Sequence, residues 1–385
     1  MFCPFDITNK KQVIEFEEQD PYNPQNILKG FVNRRQGHLY GSLWITHVNN
    51  QQCEQIIYST PKMHYPFDKN DEWKFPESDS IEIYEKLDGT NIFSYMYKDE
   101  NDVLFLTYKT RLRPFLGSSK FGNFKLLWDE MLQKYPDINK LCRTELFGFS
   151  FELYGKRNKI LVEYDVPLDT KLIFIRDQQT GQITSPHSCK DLLEQVTVPH
   201  LQYLTSLDIV NQEIYIQHQQ ELQNALDVDE DKQIIKGKEG TVWYFLQYSK
   251  CDEYPSVQQI KCKPEGILKY HWSPDSISYE SIYTTVINAF ENFNNPTFGD
   301  VVELLKEEFE IDKIEKSRTR IENMLERVTF EKKLQFEVVE KYNKLGIDIN
   351  KNKGDVMRYF AKEYPKSQSR RIFTLLNSYV QEKKK

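Results

Sequence analysis

A lysine that acts as a nucleophile has to be held in one direction and relieved of its proton. The stretch Tyr84–Phe93, YEKLDGTNIF, puts Lys86 two residues before an Asp-Gly turn, with apolar and β-branched residues on both sides. An amine is a poor nucleophile while protonated, and with a free pKa of ~10.4 a reactive lysine needs a lowered pKa or help from nearby cations. The turn at Asp88-Gly89 and its flanking strands would fix the direction of such an amine. Alone, Lys-x-Asp-Gly is an ordinary hairpin turn. Further along, Glu152 sits inside the apolar run FELYG, Glu239 opens KEGTVWYF, and Lys261 and Lys263 alternate in IKCK, on one strand face by its period of two. Each has a plain structural reading: a strand charge, a turn acid, a solvated strand face. The ordered set Lys-x-Asp-Gly, Glu-x-x-Gly, Glu-Gly-x-Val, Lys-x-Lys is far more demanding than any single piece.

Strands must carry these residues, and the patterning supplies them. In residues 1–65, HLYGSLWITHV and CEQIIYST read as strands with Asn-Asn at the turn between them. From 66 to 270, SIEIYEKL, DVLFLTYKT, SFELYG, ILVEYDV, KLIFIRD, EGTVWYFL and VQQIKCK read as strands. FGNFKLLWDEMLQKYP reads as a helix, and so does HSCKDLLEQV, extended by NQEIYIQHQQELQNAL. After Lys269 the spacing turns helical in ISYESIYTTVINAFENF, FGDVVELLKEEFE, IEKSRTRIENMLERV, FEKKLQFEVVEKYNKLG and GDVMRYFAKEYP, punctuated by Gly299, Gly346 and Pro365. Three regions follow: a β-rich N-terminal segment (1–65) packed on the core, a mixed catalytic core (66–270) and an all-helical C-terminal domain (271–385). The closing EKKK reads as a frayed end.

Composition bounds the possibilities. The chain has 385 residues, 39% hydrophobic and 14% aromatic, enough for a substantial core and more than one domain. The pI near 5.7 and mean hydropathy of −0.66 describe a charged surface. There is no apolar run of ~18 residues that could span a membrane. The start, MFCPFDITNKK, lacks the basic and apolar regions of a signal peptide and the Arg-rich character of a transit peptide. Six scattered cysteines form no Cys-x-x-Cys pair, so neither a zinc ribbon nor a disulfide framework is expected. An intracellular protein, cytoplasmic or nuclear and not secreted, is expected. The net charge of −7 does not exclude nucleic acid, because phosphates are met by local patches. From Lys341 to Lys385 twelve Lys/Arg face four Asp/Glu, which makes the tail the basic region.

The ordered set resembles the covalent nucleotidyltransferase superfamily of ATP-dependent ligases and mRNA capping enzymes. EKLDG is similar to motif I, FELYG to motif III, EGTV to motif IV and IKCK to motif V, over roughly residues 60–270. The extended EKLDGTN, and a helical region in place of the OB-fold that follows motif V in DNA ligases and capping enzymes, resemble the phage-type RNA ligase branch. The resemblance implies an α+β fold: a nucleotidyltransferase (ATP-grasp-like ligase) core of antiparallel sheets with helices, then an all-helical C-terminal domain. It implies an ATP-dependent RNA ligase, with Mg2+ or Mn2+, that joins 5′-phosphate and 3′-hydroxyl RNA ends. Lys86 would attack the α-phosphate of ATP to give lysyl-AMP. AMP would pass to the RNA 5′-phosphate, and the 3′-hydroxyl would displace it. A monomer is expected.

Residue by residue, the resemblance implies that Lys86, Lys261, Lys263 and Glu239 are catalytic. Like charge from Lys261 and Lys263 would favour the neutral amine, and the same cations would stabilise the α-phosphoryl transition state. Glu239 is the expected metal-binding acid, since Mg2+ takes one or two carboxylates plus waters and phosphate oxygens. Glu85, Lys86, Glu152, Phe174, Lys261 and Lys263 are expected around ATP, with Glu152 accepting from the ribose and Phe174 stacking on adenine. IRD stands where the family has an aromatic followed by an acid. Lys62 and Arg35, with Arg34, are candidates for the outer phosphates. Asp88 shapes the turn. Asn91 and Arg111 are expected to bind RNA through phosphate, with Lys109 and Arg113 on the same face as Arg111.

In the C-terminal domain, Arg358, Arg370 and Arg371 mix cations with aromatics in the manner of single-strand binding. Deleting residues after about Asp275 is expected to impair joining more than self-adenylylation. The alternatives are a DNA ligase or capping-type guanylyltransferase of the same superfamily, or a catalytically inactive RNA-end-binding module.

Overall fold

The computed structural model describes residues 3, 5–8, 12–35, 37–67, 72–119, 122–229, 234–249, 254–270, 277, 279–293, 295–306, 309, 311–349, 351–365 and 368–382. Its strands, in chain order, are β1 (Val13–Gln19), β2 (Ile27–Asn33), β3 (Leu43–Val48), β4 (Gln51–Ile57), β5 (Ser80–Lys86), β6 (Thr90–Lys98), β7 (Leu104–Thr110), β8 (Ser118–Ser119), β9 (Gly122–Asn123), β10 (Phe147–Tyr154), β11 (Asp169–Asp177), β12 (Ile183–Thr184), β13 (Tyr203–Leu207), β14 (Asp227–Asp229), β15 (Ile234–Lys236), β16 (Gly240–Gln247) and β17 (Ser256–Cys262). Helices α1 (Phe124–Lys134), α2 (Asp137–Cys142), α3 (Lys190–Leu193), α4 (Gln212–Asn224) and α5 (Glu265–Tyr270) interrupt them. The chain then runs through α6 (Tyr279–Asn292), α7 (Phe298–Leu305), α8 (Ile311–Lys316), α9 (Arg318–Leu345), α10 (Lys353–Glu363) and α11 (Ser369–Glu382). The fold is α+β, with antiparallel sheets first and helices last.

Two compact units divide the chain, Met1–Trp272 and Ser273–Lys385. In the first, three sheets have the orders β1-β2-β3-β4, β12-β11-β10-β6-β7 and β13-β5-β16-β17. The N-terminal strands share one core with the other two sheets: Leu28, Leu43 and Ile45 cluster with Phe93, Phe174, Tyr84 and Val242. The Asn-Asn turn forms as expected, with both Asn49 and Asn50 at positive φ, the geometry a two-residue hairpin turn needs. The far face of the five-stranded sheet packs on α1 and α2 around Trp128 and Phe151. The far face of the β5-bearing sheet packs on α4 through Tyr215 and Leu222.

Several elements differ from the sequence reading. ILVEYDV is not a strand. The N–H groups of Leu161 and Val162 donate to the Asp88 carboxylate instead of a strand partner, and Val162 makes only a single bridge to Ile235. HSCKDLLEQV shrinks to α3, and NQEIYIQHQQELQNAL is a separate helix, α4, with β13 between them. Asn211 caps α4 by accepting from Ile214 N–H. In the second unit, IEKSRTRIENMLERV divides between the end of α8 and the start of α9, and its larger part merges with FEKKLQFEVVEKYNKLG into the 28-residue α9, because no Gly or Pro separates them. Gly346 ends α9 in the left-handed conformation. Gly299 lies inside α7, whose start is set by the Thr297–Asp300 capping box. The last three residues of EKKK lie outside the described residues. No helix among the described residues is long and apolar enough to cross a membrane.

Candidate active site

Lys86 is the last residue of β5 and pairs in register with Gly240, the first residue of β16. Glu239, one residue earlier, therefore arrives beside the lysine. Lys86 Nζ lies 2.5 Å from Glu239 Oε2, and Lys263 Nζ lies 2.8 Å from Glu239 Oε1. Each carboxylate oxygen thus holds one ammonium. Glu239 is 3% exposed and Lys263 5%. Burial would raise the Glu239 carboxyl, but Lys263 and then Lys86 outweigh it and hold the group down at about 2.

Two glycines allow this closeness. A Cβ at Gly240 would come 2.2 Å from Cys262 O, so β16 and β17 approach each other where Lys263 follows. The expected Asp-Gly turn is instead a bend that carries the chain from β5 into β6 of the other sheet; a Cβ at Gly89 would come 2.1 Å from Leu153 O, so this bend presses on β10 beside Glu152.

The opposing wall is the sheet of β10, β6 and β11. Glu152 stands in register with Asn91 on β6 and Lys171 on β11. Burial pushes its carboxyl up to about 7. Lys86 and Arg111 pull the other way, and Glu239 and Asp88 add to the rise. Asp88 is also raised to about 7, by burial and then by Glu239. Asp88 Oδ2 accepts from Leu161 N–H at 2.6 Å and Val162 N–H at 2.7 Å, while the Asp88 N–H donates to Tyr164 Oη at 2.7 Å. The aspartate thus fastens the bend to the 161–164 loop. The Asn91 amide donates to Ser150 Oγ and Phe151 O and accepts from Thr60 Oγ1, so it joins three segments from a buried position.

Other expected cations stand near aromatic rings. Lys261 Nζ lies 4.5 Å over the Tyr65 ring. Lys62 Nζ and Arg111 Cζ lie 6.0 and 5.9 Å from the Tyr40 ring centroid and share it. His64 is lowered by burial, then by Lys62 and Lys261. Lys109, the neighbour of Arg111 in alternation, is spent inside the fold: its Nζ donates to Gly41 O, Ser59 Oγ, Thr110 O and Arg111 O. The aromatic platforms and the Tyr164 tie were not singled out from the sequence. The one available signal was a run of cations interleaved with aromatics, as in TPKMHY.

Other expected site residues fall elsewhere. Phe174 is 2% exposed and packs in the shared core, because its face of β11 is turned inward; the structure does not bring this ring to a surface where a base could stack. Glu85 is half-buried, and alternation along β5 turns it to the other side of the strand from Lys86. Arg35 is exposed, and its N–H donates to Asn33 Oδ1. In the second unit, Arg358 pairs with Asp355 at 2.6 Å and Arg371 with Glu331 at 2.5 Å. The Arg370 side chain lies outside the described residues.

Among the described residues, no group of three or more His, Cys, Asp or Glu could hold a metal ion by itself. Glu239 fits a more modest role. Both its oxygens hold ammonium groups, so it would offer one hard oxygen only when Lys86 moves off, and the remaining positions around Mg2+ or Mn2+ would fall to waters and phosphate oxygens.

No protein-family model matches the sequence, and no curated protein matches it. Solved structures do. An archaeal ATP-dependent RNA ligase is similar in two forms, at 14% and 13% identity, covering 80% and 90% of this chain and 72% and 84% of that one, each with a TM-score of 0.44. A protein of Aquifex aeolicus assigned as an ATP-dependent DNA ligase is 14% identical over 86% of this chain and 78% of its own, with a TM-score of 0.43. A Naegleria gruberi RNA ligase mutant with ATP and Mn is 17% identical over 51% of this chain and 52% of its own, with a TM-score of 0.34. At such low identities the chemistry has to be read from this site's own residues.

Proposed function

We propose that the chain is an ATP-dependent RNA ligase of the covalent nucleotidyltransferase kind. The observation that carries this reading is the Lys86–Glu239–Lys263 cluster, a strand-end amine held by a buried, ionised carboxylate that a second lysine shares. A purely structural ion pair has no need of the second cation or of the facing acid, Glu152.

Lys86 is the nucleophile. For attack, it gives up a proton to solvent water and its contact with Glu239, and its Nζ bonds to the α-phosphorus of ATP as the bond to the pyrophosphate oxygen breaks and pyrophosphate leaves. Lys263 holds the other oxygen of Glu239, so the carboxylate keeps its place when Lys86 leaves. A divalent metal on Glu239 would neutralise phosphate charge and favour the neutral amine. Lys261 and Lys263 put positive charge where the α-phosphoryl group gains negative charge. Arg111 and Lys62, which both stand near the Tyr40 ring, suit phosphate oxygens. Glu152, with its carboxyl near 7, can accept from or donate to a ribose hydroxyl. AMP then passes to an RNA 5′-phosphate, the P–N bond breaking as the new phosphoanhydride forms. Attack by a 3′-hydroxyl finally seals the ends and releases AMP.

The choice of RNA is supported by the Gly-Thr-Asn extension after Asp88 and by a second unit whose described residues form helices and no strands. Two measurements test the proposal. Incubated with Mg2+ and α-labelled ATP, the wild type should take covalent label that pyrophosphate discharges, and Lys86→Ala should take none. Absence of label on wild type freed of bound AMP would overturn the nucleotidyltransferase reading. Nicked duplexes with RNA or DNA on the 3′-hydroxyl side separate the substrates, because only RNA offers a 2′-hydroxyl. Equal or faster sealing of the DNA nick would move the assignment to a DNA ligase.

A further inference from the structure

Helix α4 lies against the outer face of the sheet that carries the lysines, with Tyr215 packed on Trp243. Three of its residues, each four apart, bond the backbone of the segment that bears those lysines. Tyr215 Oη–H donates to Lys261 O at 2.7 Å. Gln219 Nε2 donates to Lys263 O, also at 2.7 Å. Gln223 Oε1 accepts from Gly266 N–H. From the adjoining position, His218 Nε2 lies 2.9 Å from Thr241 Oγ1, two residues past Glu239.

The spacing has a physical basis. Four helical residues rise ~6.0 Å and two strand residues ~6.6 Å, so a helix counting by four meets a strand counting by two. Strand β17 is the edge of its sheet, with β16 on one side. On its other side the Lys261 N–H goes to His64 O and the carbonyls of Lys261 and Lys263 go to α4. An edge strand whose groups are fixed residue by residue cannot slide along its axis. A slip would carry Lys263 away from Glu239.

We infer that the Tyr215-Gln219-Gln223 ladder is the positioning element of the active site, setting where Lys261 and Lys263 stand relative to Lys86. The inference rests on the ligase reading above. These three are positioning residues; none touches the reacting atoms.

The test uses the full chain. Tyr215→Phe removes the hydroxyl and keeps the ring on Trp243, and Gln219→Met keeps length and removes the amide. Gln217→Ala, on the exposed face of α4, is the control. Single-turnover labelling from α-labelled ATP is measured across ATP concentration, per folded molecule. Small misplacements of positioning groups are costly, so the double variant should lose about tenfold in the labelling rate at saturating ATP, with the apparent KM for ATP changed by less than about threefold. The single variants should fall between the double variant and wild type, and Gln217→Ala should match wild type. A lower melting temperature with an unchanged labelling rate per folded molecule would reduce the ladder to edge protection and overturn the inference. No label on wild type would remove the ligase reading itself, and the inference with it.

Discussion

Glu239 and Glu152 are acids on facing sheets of one site, and their environments push them in opposite directions. Glu239 is held near 2 by two lysines that outweigh its burial. Glu152 rises to about 7 because burial outweighs the more distant Lys86 and Arg111. A buried carboxyl is an anion or an acid according to whether a cation touches it. One wall of the candidate site is therefore ionic and the other closer to neutral; under the proposed ligase function the first would face metal and phosphate and the second a sugar hydroxyl.

Breaking the ionic wall should have the largest effect. Glu239→Gln leaves Lys86 and the buried Lys263 without their shared anion. Loss of one partner from a buried pair costs about 3–5 kcal/mol, which denaturant unfolding would read. Labelling of Lys86 should fall by about 100-fold or more, as for loss of a preorganised charge. The pH dependence has a definite sign. The Glu239 carboxyl lies below its ordinary value of 4.5, so its stabilisation is complete above that pH and fades as pH falls toward 2. Wild type should lose stability over that window more steeply than the variant.

The neutral wall should respond in the opposite sense. The Glu152 carboxyl is raised from 4.5 to about 7, so the folded state binds its proton more tightly than the unfolded chain. Its contribution to stability is greatest in acid and is lost as pH rises through 7. Glu152→Gln should therefore gain on wild type from pH 5 to pH 8 in thermal unfolding. A constant difference across that range would mean that Glu152 is ionised throughout, and the contrast between the walls would fail. The smallest effect belongs to Tyr164→Phe. It removes the acceptor of the Asp88 N–H and should cost about 1 kcal/mol, leaving labelling of Lys86 within about threefold.

Much of this was legible in the chain. Alternation marked β5, β10, β16 and β17, and the ordered set Lys86, Glu152, Glu239 and Lys263 is one that the fold brings together. ILVEYDV misled because it carries a strand's composition while its backbone donors go to Asp88. Phe174 misled because alternation tells which residues share a face, not whether that face meets solvent or core. The α9 boundary was missed because periodicity continues through a helix that nothing interrupts.

By itself the sequence determined which residue types could do chemistry and which elements would carry them, since both depend on local spacing and backbone preference. Pairing was decided only in three dimensions. The register that sets Lys86 opposite Gly240, the two ammonium groups on one carboxylate, and the helix that fastens the lysine strand all join residues far apart in the chain. Burial then separated Glu239 from Glu152, because the charge state of an acid follows from what surrounds it after folding.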